Sequence, residues 1–125
     1  MPAEASLQEL QLVYSEIKSM KANYQDFFDQ LLLLLYKAER FRIPFGYICQ
    51  RIMEVEIKER YIKGIRNQSK LPDIHHELYR LKTEYYEGYR YLSKFLNNHC
   101  WTGYNNICRM MLGDLPEDLK RGNCG

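Results

Sequence analysis

Between residues 5 and 42 the chain contains neither glycine nor proline, so no residue type in that stretch interrupts a helix. A heptad with Leu7 at position a places Leu7, Tyr14, Lys21, Phe28 and Leu35 at a, and Leu10, Ile17, Tyr24, Leu31 and Ala38 at d. Position g then holds Val13, Met20, Phe27, Leu34 and Phe41. Every one of these except Lys21 is apolar or aromatic, whereas b and c carry mainly polar groups such as Gln8, Glu9, Ser15 and Glu16. Such a face is wider than a two-stranded coiled-coil seam and predicts packing in a helical bundle.

The same register sorts the run of five leucines. Leu31, Leu34 and Leu35 lie on the main face, while Leu32 and Leu33 fall at e and f, away from it. A helix that turns apolar on nearly all sides must be enclosed, either by other helices of its own chain or by a second molecule. Cover from within the chain is expected, because a short apolar helix near the C-terminus otherwise lacks a dock.

Pro44 suits the first turn of a second helix, expected over 45–66 with Phe45, Ile48, Ile52, Val55 and Ile62 on one face. Pro72 and Asp73 open a third, expected over 72–98, with Ile74, Leu78, Leu81, Tyr85, Leu92 and Phe95 as its stripe. Gly88 sits on that stripe, where a missing side chain permits close helix approach. Thr102 caps a short fourth helix that stops near Gly113. The expected fold is all-α, an antiparallel helical bundle of three long helices plus a short C-terminal helix, in one domain over residues 1–121. Residues 116–120 would add a turn, and 122–125 read as a flexible tail or the cut end of a longer protein. No internal repeat or low-complexity segment is evident.

An unbroken first helix would reach about 55 Å, against about 35 and 40 Å for the second and third. Its first half would then overhang its neighbours, leaving Leu7, Leu10, Tyr14 and Ile17 in search of a partner, unless the chain bends near Asn23.

With 18 basic and 16 acidic residues the net charge is +2, too balanced for a chain that generally seeks polyanions. The basic run "KERYIKGIRNQSK" still offers Lys63, Arg66 and Lys70 on one helical side. Acid-before-base pairs at i, i+4 spacing, such as Glu59 with Lys63, point instead to a self-paired solvated face. Cys49, Cys100, Cys108 and Cys124 lack zinc-module spacing, and the N-terminus does not read as a secretory signal. Free thiols and an intracellular setting, cytoplasmic or nuclear, are therefore expected. The leucine run is too short to span a membrane.

"DIHHEL" places Asp73 and His76 three apart, but a di-iron bundle needs Glu-x-x-His on two helices and further inward glutamates. His99, Cys100 and Cys108 could form a nucleophilic site, yet no orienting third group is present. Eleven tyrosines, concentrated in "EYYEGYRY" at 84–91, supply the amphipathic rings common in protein interfaces. The sequence thus favours a non-catalytic protein–protein interaction or assembly module, a homodimer or a subunit of a hetero-complex. It would bury the first helix's apolar stripe through Leu7, Leu10, Tyr14 and Ile17 against a second chain, with Leu32, Leu33, Tyr79 and Tyr86 as further partner-contact residues. A nucleic-acid module using Lys63, Arg66 and Lys70 is the alternative, and a small metal protein or enzyme comes third. No catalytic residue, cofactor or metal is assigned.

Overall fold

The computed structural model describes residues 7–115 and Leu119. The expected turn at 116–120, apart from the buried Leu119, and the tail at 122–125 lie outside the described residues. Among the described residues the chain is all-helical, with no strand. In order come α1 (Leu7–Asn23), α2 (Gln25–Arg40), α3 (Phe45–Met53), the single turn α4 (Glu59–Lys63), α5 (Leu71–Glu84), α6 (Tyr86–Asn98) and α7 (Tyr104–Met111). Short 3-10 turns precede α5 and α7, at Gln68–Lys70 and Cys100–Thr102.

Each long helix expected from the sequence is broken. The first bends at Tyr24 (φ −134°, ψ 53°) and the third at Tyr85 (φ −128°, ψ 50°). Neither bend contains glycine or proline. At both, two helical hydrogen bonds survive: Tyr24 N–H to Met20 O and Phe28 N–H to Tyr24 O, both 2.8 Å, match Tyr85 N–H to Leu81 O and Tyr89 N–H to Tyr85 O, both 2.9 Å. Beyond each bend an acidic residue, Asp26 or Glu87, sits in the first turn of the new helix and offsets its positive end.

The second helix stops at Met53 because Glu54 adopts the left-handed conformation (φ 58°). Val55 N–H then bonds to Gln50 O at 3.2 Å, closing a Schellman-type end. The backbone conformation is the one glycine takes most easily, so a glutamate there disguises the stop. Glu54 is tied to Lys82 on α5 (2.8 Å), and the buried Gln50 accepts a bond from the backbone N–H of Lys58 (3.2 Å). Arg42 (φ 57°) ends α2 in the same way, with Ile43 N–H on Ala38 O at 2.8 Å.

The two bent pairs, α1–α2 and α5–α6, share one apolar register. Ile17, Met20, Tyr24, Phe28, Leu31 and Leu35 are matched at one constant spacing by Leu78, Leu81, Tyr85, Tyr89, Leu92 and Leu96. After a connector two residues shorter, Ile48, Cys49 and Ile52 on α3 correspond to Ile107, Cys108 and Met111 on α7. The contacts follow that correspondence only in part: α1 packs on α6 as α2 does on α5, but α3 packs most extensively on α6 with no comparable contact of α7 on α2. Cys49 and Cys108 come together where α3 meets α7, with their Sγ atoms 3.6 Å apart.

One core runs between the halves, with Val13, Met20, Ile48, Ile74 and Ile107 fully enclosed. Tyr89 belongs to it, and burial, aided by the Glu54 carboxylate and opposed by Arg51, pushes its hydroxyl up to about 12. An unfolded tyrosine titrates near 10, so this group favours folding fully below pH 10 and loses that contribution as pH rises to about 12. Urea midpoints between pH 8 and 12 should fall by an equivalent of about 1–2 kcal/mol in the wild type. Tyr89→Phe should flatten part of that fall; Tyr91 and Tyr104, also raised mainly by burial, should keep the rest.

Candidate interaction surfaces

The leucine run divides by helical position. Leu31, Leu34 and Leu35 are buried, and Leu32 is half-buried in a groove of about 290 Å³ between α1, α2 and α7. That groove also gathers Tyr14 and Ile17, with Met110 and Met111 opposite and Lys18 and Lys21 at its edge. Leu33 alone stays open, at 61% exposure.

Leu33 borders a hollow of about 360 Å³ completed by Leu34, Lys37, Arg40, Phe41 and, from α5, Glu77. Tyr36, one turn from Leu33, is also exposed. The Phe41 ring is held beneath Lys70 Nζ (4.8 Å to the centroid) and Arg40 (5.7 Å). Glu77 is partly neutralised by Arg80 at 3.5 Å, and Arg80 in turn bonds Gln30 of α2 at 2.7 Å. The hollow therefore has an apolar floor and a rim on which cations outnumber carboxylates.

The other anticipated contact residues scatter. Leu10 and Ile17 are buried in the chain's own core, Tyr14 is half-buried, and only Leu7 at the start of α1 is exposed. The bend at Tyr24 shortens α1, and α6 and α7 cover it, so there is no overhang of three turns. Tyr79, exposed on α5, borders a small hollow of about 170 Å³ near His75, whose ring bonds Tyr47 Oη at 2.7 Å. Burial, with Arg51 nearby, lowers the His75 pKa. Tyr86 stands at the α5–α6 bend, apart from both. Lys63, Arg66 and Lys70 do not share a helix: Lys63 ends α4 and pairs with Glu59 at 3.2 Å, Arg66 follows in a loop, and Lys70 lies in a 3-10 turn.

Among the described residues, no group of three or more His, Cys, Asp or Glu side chains is placed to hold a metal ion. The Cys49 thiol is pushed well up, first by its hydrogen bond with Cys108 and then by burial, which keeps it protonated and a poor nucleophile. His99 lies in the interior, the placement that the sequence favours for it over a nucleophilic site. It is buried at the end of α6, pairs with Glu16 of α1, and packs its ring 5.1 Å from Phe95. Its role here is to tie α1 to α6, and no sequence spacing links partners so far apart along the chain.

No protein-family model, curated protein or solved structure matches the chain. Among the described residues no helix is long and apolar enough to cross a membrane.

Proposed function

We propose that this chain is a non-catalytic protein–protein interaction module whose contact face is the α2 hollow around Leu33. The bent pairs α1–α2 and α5–α6 serve as the two long antiparallel limbs of a bundle, and α2 carries the surface. One observation carries the reading. In a run of five leucines the chain covers four wholly or partly and leaves Leu33 beside an exposed Tyr36 and a basic-rimmed hollow. Isolated exposed apolar residues are ordinary, but Leu33 borders a concave site with anchoring chemistry, and Tyr36 lies one turn along the same helix. The rim selects the occupant: an amphipathic helix with apolar residues on one face and carboxylates flanking them. The free thiols Cys49, Cys100 and Cys108 fit a reducing setting, cytoplasmic or nuclear.

The test uses designed amphipathic helical peptides with a leucine face flanked by glutamate, and the same peptides with lysine in place of glutamate. The glutamate form should bind at least about tenfold more tightly, a difference of about 1.4 kcal/mol. Leu33→Ser with Tyr36→Ser should abolish that binding while leaving the melting temperature unchanged. Equal binding of both peptides, or of the double variant, would refute the assignment. A wild-type mass twice the monomer's that halves in the double variant would make the partner a second copy.

A further inference from the structure

The two bends line one broadly open cleft of about 400 Å³. Its walls are matching positions of the two bent pairs: Tyr24 and Tyr85 at the bends, and Asp26 and Glu87 in the first turns of α2 and α6. Phe27 meets Gly88 between them, and Tyr86, 54% exposed, adds a further ring. Neither lysine nor arginine lines the cleft. Glu84 also borders it but is held by Arg80 at 3.1 Å. Asp26 and Glu87 are exposed, and no ion pair engages either among the described residues.

Two helix N-termini converge here, each equivalent to roughly +0.5 charge. Two full carboxylates outweigh them, so the cleft presents net negative charge beside the exposed Tyr86 ring, while the half-buried Tyr24 and Tyr85 rings pack on Tyr91 and Phe27. Carboxylates and π faces attract the same kind of group, and a planar guanidinium uses both best.

We propose that this cleft docks an arginine-bearing segment of a partner protein, its guanidinium held by the Tyr86 ring and by the Asp26 and Glu87 carboxylates. The site is separate from the α2 hollow and of opposite charge, so it does not depend on the function proposed above.

The probe is a fluorescently labelled peptide of alternating glycine and arginine, read by anisotropy at low salt. Its control is the same peptide with citrulline, which keeps the shape and removes the charge. The arginine peptide should bind and the citrulline peptide should not. Asp26→Asn with Glu87→Gln should weaken binding about tenfold, and Tyr86→Ala should weaken it independently. All three side chains are exposed, so Tyr86→Ala should melt as the wild type does, and the carboxylate variant should stay folded, losing only the small stabilisation that each charge contributes at its helix start. Leu33→Ser with Tyr36→Ser should bind the arginine peptide normally. Absence of binding, equal binding of the citrulline peptide, or full affinity in the carboxylate variant would each overturn the proposal.

Discussion

Leu31→Ala should lower the stability of the folded chain by about 3–5 kcal/mol, whereas Leu33→Ser should change it by less than about 0.5 kcal/mol. The two residues are neighbours in a run of identical side chains, so composition and propensity treat them alike. Leu31 is 1% exposed and packs among Leu35, Ile48, Cys49 and Leu92 where the two halves meet. Removing it deletes buried methyl groups and leaves a cavity that residues on three helices would have to close. Leu33 is 61% exposed, so a serine there exchanges one solvated side chain for another. Urea denaturation of the two variants reads the difference directly. A loss of several kcal/mol in Leu33→Ser would mean that α2 is rotated from the register described, and the hollow with it.

Gly88→Ala should cost about 1–3 kcal/mol, although alanine is the better helix former. A methyl group at Gly88 would lie 2.6 Å from Phe27 Cγ and 2.8 Å from its Cβ, the stiff inner part of a buried ring. The ring cannot swing clear without leaving the core, so α6 would have to withdraw from α2. Adding Phe27→Leu should recover part of the loss, making the double variant more stable than the sum of the single changes predicts. Additive losses would show that the two positions do not touch. The same glycine closes the base of the arginine cleft, so Gly88→Ala should also weaken the arginine peptide.

Much of the helical content was legible because apolar spacing and the scarcity of breakers are properties of the chain itself. The first boundary near Arg42, the starts near Pro44 and Pro72, the short helix ending at Gly113 and the close approach at Gly88 all carry local signals. The stop after Met53 does not, since Glu54 occupies a backbone conformation that a sequence reader reserves for glycine. Lys82, from a helix far along the chain, holds that glutamate in place. Of the anticipated contact residues, Leu7, Leu33, Tyr79 and Tyr86 are open, but they lie on four different helices. Helical periodicity gives an angle around one axis and cannot say which sides the other helices leave uncovered.

The sequence by itself determined that this protein is helical, where its apolar faces run, and that Leu32 and Leu33 point away from the main stripe. Those are consequences of a 3.6-residue period and of local backbone preference, and they need no partner in space. Tertiary structure decided the bends at Tyr24 and Tyr85, the pairing of His99 with Glu16, the meeting of Cys49 with Cys108, and the covering of Leu10 and Ile17. No bend carries a breaking residue. Each exists because two half-length helices can cross their counterparts and share one core, which a straight helix of the same sequence would overshoot.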